Sequence, residues 1–175
     1  MANKMNIPFS PPDITQEEID EVAEALRSGW ITTGPRVKEL ERQLAEYLGV
    51  KRCVCLNSQT ACAEIALRVL GVGPGDEVIV PAYTYTASAS VICHVGATPV
   101  MVDCASDSLE MDYDAMAHAI TERTKAVIPV DLGGVPCDYD TIFAALEAKR
   151  DLFHPASDIQ ETLGRVAVCE DAAHA

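Results

Sequence analysis

The chain predicts an α/β fold, a three-layer α/β/α arrangement on a mainly parallel sheet, and two observations carry that expectation. From Arg52 onward, short apolar or β-branched runs alternate with segments of helical period. Each run is bounded by Gly, Pro, Asn or Asp, the residues that punctuate strands and helices. Strands that alternate with helices form a sheet covered on both faces, and such sheets are mainly parallel.

Taken in order, residues 1–14 read as an extended arm, because Pro8, Pro11 and Pro12 deny them a helix. Thr15 with Glu18 three residues later is a capping box. It opens a helix with Ile19, Val22, Ala23 and Leu26 on one face, ending at Gly29. Trp30 to Pro35 is a loop. A second helix follows Pro35, with Val37, Leu40, Leu44 and Leu48 as its expected buried stripe and Gly49 as its end.

The stretch Arg52 to Leu70 organises the rest of the chain. Arg52-Cys53-Val54-Cys55-Leu56 reads as a buried strand, Asn57-Ser58-Gln59-Thr60 as a polar turn, and Ala61 to Leu70 as a helix with Ala61, Ile65 and Val69 on one face. Gly71 to Asp76 is a turn, Glu77 to Pro81 a strand, and Tyr85 to Val95 a helix ending at Gly96. Thr98 to Asp103 is a strand, and Tyr113 to Ile120 a short helix capped by Asp112. Lys125 to Val130 is a strand, and a helix runs from Tyr139 to Lys149. Residues 151–164 have weak periodicity and read as a surface insertion with one helical turn. Arg165 to Glu170 is the last strand, running into Asp171.

At 175 residues the chain is long enough for one domain with a real core. Its net charge of −14 argues against a nucleic-acid surface. No apolar run approaches the roughly 18 residues a membrane span needs, and the N-terminus lacks the apolar core of a secretory signal. The seven cysteines form no CxxC pair and sit in apolar runs. They read as reduced thiols acting as small apolar residues, with no metal site, which points to the cytoplasm.

In an open α/β sheet, ligands bind outside the carboxyl ends of the parallel strands. Four polar clusters fall there: Asn57 to Thr60, Tyr83 to Thr86, Asp131 to Gly134 and Asp171 to His174. Each has a plain alternative. Ser58 or Thr60 could be an ordinary N-cap, Asp171 another cap, Tyr85 a core aromatic, and His174 a satisfied histidine. Together they suit a pyridine-phosphate cofactor. Amides and a hydroxyl at a helix start hold a phosphate, and an aromatic face stacks on the ring. A buried carboxylate keeps a proton on the ring nitrogen, which makes the ring an electron sink, and an imidazole can reach the phenolic oxygen. Trp30 in its polar loop either anchors that loop or lines a cleft or subunit interface.

With these residues in view, the chain resembles the pyridoxal-phosphate sugar aminotransferases of the DegT/StrS family. The resemblance rests on Ile7 to Pro12, Gly29 to Pro35, Gln59-Thr60-Ala61, Val80 to Ala87, Val95 to Val100 and Glu170-Asp171-Ala172-Ala173-His174-Ala175, in the family's order. It implies the N-terminal part of the large domain of a fold-type-I pyridoxal-phosphate transferase, over residues 15–175. It further implies that Thr60 and the Ala61 amide hold the cofactor phosphate, Tyr85 stacks on the ring, Asp171 pairs with the ring nitrogen and His174 reaches the phenolic oxygen. Trp30, Thr32 and Thr33 would border the substrate side near a homodimer interface.

The implied reaction moves an amino group from an amino acid, glutamate by expectation, to a nucleotide-linked keto deoxysugar. The family's catalytic lysine lies beyond its Glu-Asp-Ala-Ala-His motif, and no lysine of this chain stands in that context. The resemblance therefore implies a fragment with no catalytic residue of its own, whose strand at Arg52 to Leu56 is separated from the last strand by two strands supplied later in the parent. Asp131 and Gly133 depart from the family's usual His and aromatic. Two readings stay open within the family: a sugar dehydratase with His in place of the lysine, and a non-enzymatic regulator. A Rossmann-type nucleotide binder is the reading outside it, but Asn57 to Cys62 contains no glycine for the phosphate-binding turn.

Overall fold

The computed structural model describes residue 8 and residues 11–175, and most of the expected arm at residues 1–14 lies outside the described residues. The chain divides into two compact units, residues 1–55 and residues 56–175, and each is described by itself.

The first unit holds α1 (Gln16–Arg27) and α2 (Pro35–Tyr47). The capping box forms as expected. Thr15 Oγ1 accepts from Glu17 N, and the Glu18 carboxylate accepts from the Thr15 backbone N–H at 2.6 Å. Arg36 pairs with Glu21 and Glu24, which joins α2 to α1. The apolar stripes do not meet the expectation of burial: neither helix buries a residue, and Ile19, Val22, Leu26, Leu40 and Leu48 are all exposed.

The expected strand at Arg52 to Leu56 is absent, since these residues join no sheet ladder. A strand exists only through lateral hydrogen bonds to a neighbour. Here the Cys55 amide donates instead to the Glu41 carboxylate at 2.9 Å.

The second unit is the layered body. Its strands are β1 (Glu77–Pro81), β2 (Thr98–Val102), β3 (Thr124–Val127) and β4 (Ala167–Val168). They pair in the order β2-β1-β3-β4, all parallel. Helices α3 (Gln59–Val69), α4 (Thr86–His94), α5 (Tyr113–Ala119), α6 (Tyr139–Ala148) and α7 (Asp158–Leu163) surround this sheet.

Alternation along each strand sorts the core into two layers. Val78, Val80, Ala126 and Ile128 pack with Leu67 of α3 and Val91 and Ile92 of α4. Ile79 and Val127 point the other way, onto Met116 of α5 and Ile142 and Leu146 of α6. This is the predicted three-layer α/β/α fold with a parallel sheet.

Residues 151–164, expected as a surface insertion with one helical turn, carry α7 and are anchored at one buried residue. Gln160 is buried, and its Nε2 donates to the Leu70 carbonyl at 2.8 Å, beside Ser157 Oγ at 2.9 Å. That carbonyl ends α3, where its orphaned acceptor needs such donors. The cysteines also differ from the expectation: Cys137 is buried, whereas Cys62 and Cys93 are exposed. Burial pushes the Cys169 thiol up to about 11, and burial with Asp131 beside it does the same to Cys137. Among the described residues no helix is long and apolar enough to cross a membrane.

Candidate cofactor site

Beyond β4 the chain keeps pairing with the segment after β3. Cys169 N donates to Val127 O and Asp171 N to Pro129 O, both at 2.9 Å, and Asp131 N returns a bond to Asp171 O at 3.0 Å. These bonds hold Asp171 at the carboxyl end of the sheet, level with Val130. Tyr85 caps α4 just after β1, and Ser58 caps α3. The loops therefore converge on a cleft of about 150 Å³ lined by Gln59, Thr60, Thr84, Tyr85, Asp171 and His174, among others. Of the five predicted cofactor residues, four line this one cleft.

Ala61 is the exception. Its amide donates to Ser58 Oγ at 3.1 Å and is not free for an anion. The Gln59 and Thr60 amides just before it open α3 and have no acceptor among the described residues. The eleven-residue α3 adds the positive end of its dipole there.

Tyr85 is largely exposed, which removes the core-aromatic alternative, and it lines the cleft. Asp171 is 4% exposed, accepts from Ser88 Oγ at 2.7 Å and from Ala173 N at 3.3 Å, and so is held in one orientation. His174 accepts at Nδ1 from Gly133 N at 3.2 Å. A neutral imidazole bonded this way carries its hydrogen on Nε2, so the other edge of the ring is a donor. Gly134 is needed beside it: with φ +79, its position disfavours a side chain, and a Cβ there would stand 3.0 Å from the His174 carbonyl.

Asp131 does not line the cleft. It is buried and accepts from Cys137 N and from the Tyr139 hydroxyl, each at 2.9 Å. Burial alone would raise its carboxyl, but the Cys137 amide, the Tyr139 hydroxyl and Glu170 together hold it below the usual value. Burial, with the hydrogen bond to Asp131 and its charge, raises Glu170. Asp131 thus shapes the loop that carries Gly133 to His174.

Ser88 was missed by sequence reasoning. The available signal was its place four residues after Thr84, on the same side of the start of α4. Trp30 and Thr32 line a different cleft, of about 490 Å³, within the first unit. Thr33 serves there through its carbonyl, which accepts from Trp30 Nε1 at 3.2 Å.

The donor set fits pyridoxal phosphate: helix-start amides and a hydroxyl for the phosphate, a stacking face, a buried carboxylate and an imidazole N–H. Comparison with known proteins decides the family. The sequence model of the DegT/DnrJ/EryC1/StrS aminotransferase family matches residues 12–175. The chain belongs to that family.

The chain is 43% identical to the spore coat polysaccharide biosynthesis protein SpsC of Bacillus subtilis (strain 168), over all of this chain and 42% of SpsC. It matches Spr1654 of Streptococcus pneumoniae, assigned as a sugar aminotransferase, at 62% identity and a TM-score of 0.95. That alignment covers 98% of this chain and 43% of Spr1654 in its PMP form, and the PLP form matches equally well. A more distant structural neighbour, a GDP-4-keto-6-deoxymannose-3-dehydratase, is 27% identical with a TM-score of 0.75, over 80% of this chain and 38% of its own. The chain thus spans about two fifths of the length of the relatives it matches. The family's cofactor is pyridoxal 5'-phosphate.

Proposed function

We propose that this chain is the N-terminal part of a pyridoxal-phosphate aminotransferase that moves an amino group from an amino acid, glutamate first, to the keto group of a nucleotide-linked deoxysugar. The observation that carries the reading is the convergence of Thr60, Tyr85, Asp171 and His174 on one cleft at the carboxyl ends of parallel strands. In this reading the Gln59 and Thr60 amides with the Thr60 hydroxyl hold the cofactor phosphate. Tyr85 covers one face of the ring, Asp171 holds the proton at the ring nitrogen, and His174 Nε2–H donates to the phenolic oxygen. When bound, the cofactor supplies an electron sink for the carbon that gains or loses the amino group.

None of the four described lysines, Lys38, Lys51, Lys125 and Lys149, lines the cleft. Lys125 Nζ is committed to the His154 and Glu122 carbonyls at 2.7 and 3.0 Å. The amine that moves protons at the substrate is therefore assigned to the parent's sequence beyond Ala175. Trp30, Thr32 and Thr33 are assigned to the sugar substrate. The same reading takes the parent as a cytoplasmic homodimer, which the family resemblance and the free thiols at Cys62 and Cys93 support.

The test uses the full-length parent with glutamate and a panel of nucleotide-linked keto sugars, following 2-oxoglutarate and the mass of the sugar product. An amino sugar is expected, and Asp171→Asn should slow its formation on the order of a hundredfold without unfolding the protein. Unchanged turnover in Asp171→Asn would remove the carboxylate from its role. The dehydratase neighbour favours a second reading, in which the sugar loses a hydroxyl and gains no nitrogen. The product's mass separates the two.

A further inference from the structure

A carboxylate as deeply buried as Asp171 must be met by donors, and their source decides which way it faces. Ala173 N reaches Oδ1 at a long 3.3 Å. The short bond comes from Ser88, itself 1% exposed, whose Oγ stands 2.7 Å from Oδ2. Ser88 has one hydroxyl hydrogen. Once that hydrogen is given to Asp171, the 3.2 Å contact between Ser88 Oγ and Thr84 Oγ1 has to run from Thr84 to Ser88. Every hydrogen in the row then points toward Asp171, and its outer member, Thr84, lines the cleft.

Ser88 lies on the first turn of α4 and Thr84 just before it, while Asp171 is 83 residues further on. The row therefore ties the carboxylate to the helix that carries Tyr85 at its cap. We infer that Ser88, backed by Thr84, is a positioning residue that fixes the Asp171 carboxylate to receive a protonated ring nitrogen from the cleft. This rests on reading the cleft as the pyridoxal-phosphate site. Without the Ser88 hydroxyl, Oδ2 keeps no side-chain donor among the described residues, and the carboxylate can turn about its last torsion.

The test is binding, read without turnover. Apo full-length protein is dialysed to equilibrium against pyridoxal 5'-phosphate and, separately, against 1-deazapyridoxal 5'-phosphate, which has carbon in place of the ring nitrogen. The quantity read is the ratio of the two dissociation constants, so losses common to both probes cancel. Ser88→Ala should reduce the preference for the nitrogen-bearing ring about tenfold, the worth of one charge-assisted bond. Ser88→Thr, which keeps the hydroxyl, should retain it.

Equal weakening of both probes by Ser88→Ala would reduce Ser88 to a packing role and overturn the inference, as would Ser88→Thr behaving like Ser88→Ala. Should Ser88→Ala not fold, Thr84→Val reads the same ratio with Ser88 in place. A reduced preference supports the row, and an unchanged one overturns it. Asp171→Asn is the control for the underlying reading. If it leaves the ratio unchanged, Asp171 does not meet the ring nitrogen, and the cofactor site fails independently of Ser88.

Discussion

Helices α1 and α4 invite comparison because the sequence marks both as helices, yet they meet different surroundings. α1 has the stronger local credentials: a complete capping box, a clean apolar stripe and a basic last turn. It buries nothing, and Leu26 is 63% exposed. α4 has no side-chain cap bond, yet it buries Ala87, Ser88, Val91 and Ile92 against the sheet. Periodicity states which face of a helix is apolar. Whether anything covers that face is settled by chain elements distant in sequence.

The contrast is broken most severely by core truncation. Leu67, fully buried in α3, packs in the same layer as Val78 and Val80, and Leu67→Ala should cost about 2–5 kcal/mol. Leu26→Ala removes a side chain that packs on nothing buried and should change stability by about 0.5 kcal/mol or less. Urea unfolding of the chain measures both through the transition midpoint. Equal losses at the two sites would show that the first unit's stripe is covered after all.

Capping is the next largest effect and sharpens the comparison, because both units use it. Ser58→Ala and Thr15→Ala each remove a side-chain acceptor at a helix start and should each cost about 1 kcal/mol of local stability. Hydrogen exchange distinguishes where the loss is felt. For Thr15→Ala, faster exchange should stay within α1. For Ser58→Ala it should reach the core layer shared with β1 and α4, because α3 buries Ala63 and Leu67 there. Ser58→Ala also releases the Ala61 amide toward the cleft. Exchange confined to the first turn of α3 would refute the coupling.

The smallest effect is electrostatic. Glu77 sits at the start of β1, where burial would raise its carboxyl, but Thr121 and Arg123 outweigh burial and lower it below 4.5. A carboxyl lowered by folding adds stability that is present above its unfolded value and lost as pH falls through the folded value. Glu77→Gln should therefore lower stability at neutral pH and flatten its decline below pH 4.5. Glu39 in α2 is lowered further, to about 2, by Arg42 and Gln43, but it is solvent-exposed and its pairs are screened. Glu39→Gln should leave the acid limb nearly unchanged. Thermal unfolding between pH 3 and pH 7 tests the pair, and a larger change from Glu39→Gln would reverse the ranking.

What the sequence by itself determined lies within a few residues of chain. The Thr15–Glu18 box, the Asp112 cap, the span of β1 and the start of α3 at a polar turn are all legible, because the groups that satisfy one another are adjacent. The parallel three-layer fold was also legible, since alternating strands and helices leave few ways to cover both faces of a sheet. So was the placing of Thr60, Tyr85, Asp171 and His174 in one cleft, because parallel strands bring their carboxyl ends together.

Tertiary structure alone decided which groups remain free to act. It turned Asp131 toward Cys137 and Tyr139, buried Gln160 against the end of α3, and gave the Cys55 amide to Glu41. It also set Ser88 against Asp171 across 83 residues. At Gln160 with Leu70 and at Ser88 with Asp171 the competition for a donor or acceptor is between groups far apart in sequence. Such a competition is won by proximity in the folded chain, which local pattern does not encode.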